Sequence, residues 1–152
     1  MKKSVMILML TGLLWACSSD ASHDNASITG PGDHAHGHEA VLTLNKGQKW
    51  NADAATSENV AAIRMLAGNF AVEPHTSLSD YGVLASDLQK ELDKMIQECK
   101  MSGPDHDALH LWLEPLLKDV NELKKANDPE SSDRIVHAIK ERLDLYTQYF
   151  EQ

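Results

Sequence analysis

The stretch Cys99-Lys100-Met101-Ser102-Gly103-Pro104-Asp105-His106-Asp107-Ala108-Leu109-His110 sets a thiol, a thioether and two imidazoles close together in the chain. Thiolate sulfur and imidazole nitrogen are the usual ligands of zinc and copper, and a thioether tips the balance toward copper(I). Cys99, His106 and His110 are therefore candidate ligands for copper(I) or zinc, with Met101 a further sulfur donor. Asp105 and Asp107 could accept the ring N–H groups and so orient the imidazoles. Each of these residues also has an ordinary structural use. Cysteine packs as a small hydrophobe, an aspartate suits the positive end of a helix, and a histidine ending an apolar stripe can cap a core with one hydrogen bond.

A second set of imidazoles lies upstream, in Gly30-Pro31-Gly32-Asp33-His34-Ala35-His36-Gly37-His38-Glu39. His34, His36 and His38 alternate with small residues that let the backbone wrap a divalent ion. The competing reading is a polar tether in which histidine is merely tolerated.

Four amphipathic segments must position the first cluster. Asp53 opens the first helix, with Val60, Ile63, Ala67 and Phe70 on one face, and Pro74 breaks it. Ser77, followed by Asp80, reads as a capping-box start to the second, whose stripe runs Leu84, Leu88, Leu92, Met95 and Cys99. Gly103 and Pro104 end that helix and open the third, with the stripe His106, Leu109, Leu113, Leu116, Val120 and Leu123. Asp128 and Pro129 start the last, which carries Ile135, Ile139, Leu143, Tyr146 and Phe150. Short connections between such segments favour an all-α, antiparallel up-down four-helix bundle. Val41-Leu42-Thr43-Leu44, the turn Asn45-Lys46-Gly47 and Trp50 add a short β-hairpin or extended cap. Trp112, Tyr146 and Tyr149 read as core and rim aromatics, and His75 and His137 as surface residues.

This topology puts the end of the second helix and the start of the third at the pole where the chain enters the bundle. Cys99 and His106 are then neighbours facing the interior, with His110 one turn further on the same side. A flexible segment of about 15 residues reaches roughly 20 Å, so the upstream histidines could meet the corner and pass an ion to it.

The leader bounds location. Lys2 and Lys3, a short apolar run and Ala16 make a secretory signal over 1–16. Leu14-Trp15-Ala16-Cys17 resembles the lipobox of bacterial lipoproteins, which implies acylation at Cys17 and attachment to a membrane face. Residues 17–40 hold almost no large apolar side chain and read as a flexible His-rich tether, leaving 41–152 as the helical domain. The formal charge of −9 argues against a nucleic acid partner and fits a cation-attracting surface. With Cys17 acylated, Cys99 is a lone thiol in an exported chain.

The segments Leu42-Thr43-Leu44-Asn45-Lys46-Gly47-Gln48-Lys49-Trp50, Cys99-Lys100-Met101, His106-Asp107-Ala108-Leu109-His110-Leu111-Trp112-Leu113 and Tyr146-Thr147-Gln148-Tyr149-Phe150 resemble small helical envelope lipoproteins of Bacteroidota-type bacteria. That resemblance spans residues 40 to 152 and implies a helical fold in the cell envelope, periplasm-facing or on the cell surface, without supplying an activity. The His-rich tether is similar in composition to metal-efflux and metal-chaperone proteins, which makes envelope efflux proteins candidate partners. No motif assembles a nucleophile, base and oxyanion donors, so the expected role is binding and not catalysis. Two readings result: a membrane-anchored lipoprotein that binds copper or zinc in metal homeostasis or resistance, and a metal-independent helical interaction module on the envelope.

Overall fold

A computed structural model describes residues 41–72 and 77–152. The signal 1–16, the tether with Cys17, His34, His36 and His38, and the residues Pro74 and His75 lie outside the described residues.

The described chain runs β1 (Trp50–Asn51), α1 (Ala54–Phe70), α2 (Leu78–Glu98), α3 (Pro104–Lys125), α4 (Pro129–Tyr149) and β2 (Phe150–Glu151). The all-α class and the four-helix bundle expected from the apolar stripes are what the chain forms. Local chemistry starts each helix. Asp53 caps α1 by accepting the Thr56 amide, and Asp128 caps α4 by accepting that of Ser131, with Pro129 in the first turn. Ser77 caps α2 as anticipated, but its hydroxyl accepts from Ser79 and the Asp80 amide goes to the Ser77 carbonyl. α3 starts without a side-chain cap. Gly103 has φ +66°, a conformation side chains resist, and Pro104 occupies the first turn, where its missing N–H costs nothing.

Neighbouring helices run antiparallel. Asn59 near the start of α1 donates to Glu98 at the end of α2, and Ser57 pairs with Tyr146 at the end of α4. At the opposite pole Phe70 meets Tyr81 edge-on, and the Tyr81 hydroxyl donates to Asp133 at 2.6 Å. The core is built from the anticipated stripes: Ile63, Leu88, Leu92, Leu116, Val120 and Ile139 are fully buried. Near one end Trp112 meets Tyr146 edge-on and Tyr146 stacks on Phe150, with ring centroids 5.0 and 4.9 Å apart. Burying such a continuous apolar seam is the main force holding the four helices together. Among the described residues no helix is long and apolar enough to cross a membrane.

The cap before α1 takes a form that alternation alone does not disclose. Asn45 and Gln48 close a tight turn with two backbone hydrogen bonds, and Lys46 and Gly47 both have positive φ. The chain then pairs in parallel with its own far end, Trp50 beside Phe150 and Asn51 beside Glu151. Trp50 is held by its indole N–H, which donates to the Thr43 carbonyl at 2.7 Å.

Candidate functional site

The corner between α2 and α3 is where the candidate ligands meet. The α2 ladder delivers a last bond from the Cys99 amide to the Met95 carbonyl at 2.9 Å, after which Cys99 turns extended, with ψ 127°. Cys99 is half-buried against the core and its thiol is free. The following residue is tied down: the Lys100 amide donates to Asp53 Oδ2 at 2.7 Å. The turn then reverses at Gly103, whose carbonyl accepts the Asp107 amide as α3 begins.

His106 and His110 stand one turn apart on α3, their ring centroids 4.7 Å from each other and their planes tilted by 49°. His106 is half-buried, whereas the His110 side chain is 52% exposed with Nδ1 4.0 Å from a Glu114 carboxylate oxygen. Cys99, His106 and His110 line one groove of about 230 Å³ between α2 and α3, floored by Met95, Leu109 and Leu113 with Ile96 at its edge.

This differs from the expected interior placement. Ala108, Leu109, Trp112 and Leu116 occupy the interior face of α3, which turns His106 and His110 sideways toward α2 and the solvent. Among the described residues no three His, Cys, Asp or Glu side chains converge in a geometry that could hold a metal ion. Met101 is half-buried against the core and does not line the groove. The aspartates expected to orient the imidazoles are otherwise engaged. Asp105 accepts the Asn51 amide at 3.0 Å, and Asp107 lines a separate crevice beneath Trp50. His137 is exposed on α4, with Nδ1 3.6 Å from Glu141.

No family model, curated protein or solved structure matches the chain. The site's chemistry is therefore read from its own residues.

Several polar residues that support the corner were not singled out by the sequence. Asn59 is buried and donates both to the Ala55 carbonyl and to Glu98, beside Cys99 in the chain. Ser57 and Tyr146 share a hydrogen bond at 3.2 Å, and burial pushes the Tyr146 hydroxyl above its ordinary value. The signal for this group was weak but present: Thr56, Ser57 and Asn59 break the apolar pattern of α1 in its first two turns, on the side that faces the corner. With the Asp53–Lys100 hydrogen bond, the Asn59–Glu98 contact ties the end of α2 to α1, beside Cys99 and its groove. That arrangement can present one soft donor from a fixed backbone to two imidazoles on a neighbouring helix.

Proposed function

We propose that the chain is a lipid-anchored envelope protein that takes up a soft transition-metal ion, copper(I) in preference to zinc, in the groove between α2 and α3. The observation that carries this reading is that Cys99, His106 and His110, from two elements, open into the same groove. Zinc in structural sites asks for four ligands in a tetrahedron. The groove offers at most three donors and no convergent triad, whereas a thiolate with an imidazole suffices for copper(I). Exposed His110 has the rotamer freedom to swing onto an ion first held by Cys99 and His106.

In this reading His34, His36 and His38 form a looser upstream set that collects the ion, and Cys17 carries the acyl chains that hold the protein on a membrane face. Its partners are then the membrane and envelope proteins of metal efflux. The role is binding and transfer, with no catalytic step. A second reading has its own support. The groove floor is apolar and Ile96 at its edge is 47% exposed, which suits a metal-independent contact with a protein partner.

The test uses the whole chain with His34, His36 and His38 replaced by Ala, which removes the upstream histidine cluster from the response. Under reducing conditions copper(I) should raise the melting temperature, the gain being about 2.7 kcal/mol at a free ion concentration 100 times Kd. Cys99→Ser should remove most of that gain, and Cys99→Ser combined with His106→Ala should be scarcely worse, as for ligands acting as a unit. A melting temperature unmoved by copper(I) and by zinc overturns the metal reading and leaves the groove to a protein partner.

A further inference from the structure

The described chain begins in an apolar patch. Val41, its first residue, lines a crevice of about 200 Å³ together with Leu42, Trp50, Pro104 and Leu111. Unlike the interior stripes, these side chains keep surface in water. Val41 is 78% exposed, Leu44 on the adjoining turn is 41% exposed, and Leu42, Trp50 and Leu111 are half-buried. The indole N–H of Trp50 is already satisfied by the Thr43 carbonyl, so nothing polar on the ring requires water. An exposed apolar cluster of this kind marks an interaction surface.

The charge of this cap departs from that of the chain. Residues 41–52 hold no acid and carry Lys46 and Lys49, both exposed, whereas the whole chain is −9. Two neighbouring carboxylates are committed to the backbone: Asp53 accepts the Thr56 and Lys100 amides, and Asp105 the Asn51 amide. Asp107 lies on the α3 wall of the crevice and Glu151 beside Asn51, away from the Asn45–Gln48 turn that carries Lys46. Lysines next to an aromatic ring and branched aliphatic side chains suit a lipid–water interface. The apolar groups enter the acyl boundary while the ammonium groups meet phosphate.

We propose that this cap is a membrane-docking face, which lays Val41, Leu42, Leu44 and Trp50 on a bilayer of anionic phospholipid with Lys46 and Lys49 on its phosphates. The inference rests on the proposed function for the membrane being at hand: the chain that would be anchored through Cys17 runs into the bundle at Val41, inside this patch. The same lipids repel the acidic remainder of the chain, which leaves the lysine-bearing cap as the side that approaches.

The experiment uses residues 18–152, which keep the whole described bundle and lack the leader and Cys17, so that neither carries the protein to vesicles. Trp50 and Trp112 are then the tryptophans present, and Trp112 is only 3% exposed. Vesicles of brominated phosphatidylcholine mixed with phosphatidylglycerol should quench Trp50 saturably. Phosphatidylcholine alone should bind roughly tenfold more weakly, and so should the variant Lys46→Glu with Lys49→Glu on the mixed vesicles. Leu44→Asn, at an exposed position, should weaken binding to both vesicles with helicity unchanged. Trp50→Phe should still sediment with the mixed vesicles but lose the quenched signal. The proposal is overturned if mixed vesicles neither quench nor sediment the protein, which leaves the patch to a protein partner. It is equally overturned if the charge variant binds as the parent does, or if quenching survives in Trp50→Phe, which would show another face docking. With no acyl chain present these outcomes stand apart from the fate of Cys17: an acylated Cys17 without vesicle binding keeps the anchor and removes the docking face.

Discussion

Lys100 and Asp53 lie 47 positions apart and are joined directly, the Lys100 amide donating to Asp53 Oδ2 at 2.7 Å. The other oxygen of that carboxylate receives the Thr56 amide, also at 2.7 Å, and so caps α1. One side chain therefore starts the first helix and anchors the corner that carries Cys99. Asp53→Ala should destabilise the fold by about 1–3 kcal/mol, the loss of an N-cap plus a charge-assisted hydrogen bond. Urea unfolding followed by helical circular dichroism measures this, and a change within a few tenths of a kcal/mol, the usual size for a bland surface site, would contradict it.

The same carboxylate makes stability depend on acid pH. Partial burial pushes the Asp53 carboxyl up, but the hydrogen bonds from Thr56 and Lys100, with the Lys100 charge, outweigh it and hold the group below its ordinary 3.8. A group depressed on folding contributes stability that is complete above its unfolded value and is lost as pH falls through its folded one. Asp53 should thus contribute fully at neutral pH and progressively less below 3.8. Asp53→Asn keeps a capping oxygen but cannot titrate, so its stability should fall less steeply than the parent's over that acid range.

At the other pole the sign is reversed. The hydrogen bond to Asp133, then burial, raise the Tyr81 hydroxyl from 10.0 to about 12. The neutral phenol is the form the fold favours, so its contribution is complete below 10.0 and lost as pH rises through about 12. Tyr81→Phe should cost about 1 kcal/mol at neutral pH and remove that alkaline loss. Tyrosinate absorbance should show late-titrating phenols in the parent, Tyr146 being raised as well, and Tyr81→Phe should remove the component near 12; an unchanged titration would contradict the assignment.

Between α3 and α4, Arg142 Nε donates to Asp119, whose side chain is only 12% exposed. Removing the cation alone strands a mostly buried carboxylate, so Arg142→Met should cost roughly 2 kcal/mol. Adding Asp119→Leu should recover part of that loss, because an apolar pair no longer has a charge to solvate. A double variant less stable than Arg142→Met would show that the ion pair's partner is needed for packing and not for charge balance.

Export is tested at Cys17. Its acylation would place the mature N-terminus there, and Cys17→Ser should release the protein from the membrane or leave the leader uncleaved. Mass spectrometry finding an unmodified N-terminus elsewhere would remove the anchor from the proposed function.

The sequence by itself determined the elements, since what makes them is local. Asp53, Ser77 and Asp128 each announce a helix start through side-chain oxygens within a few positions of the amides they cap, and Gly103-Pro104 marks the reversal between α2 and α3. Leu88, Leu92, Leu113 and Ile139 recur at helical spacing, so their burial against one another was legible before any packing was known. Four such stripes with short connections leave few arrangements other than an up-down bundle.

What the tertiary structure decided was how those elements rotate and which distant groups touch. A stripe constrains the inward direction of a helix only to within the width of a side chain, and the candidate ligands lie at its edge. The rotation that buries Ala108 and Trp112 turns His106 and His110 into a lateral groove and leaves Cys99 and the imidazoles neighbours without convergence. Pairings such as Trp50 with Phe150 and Lys100 with Asp53 carry no periodic signal, because each depends on the closing of a bundle whose contacting ends are far apart in the chain. The open seam at Gly68 belongs to the same class: only when α1 and α4 pack does the space beside it, which no described side chain fills, come into existence.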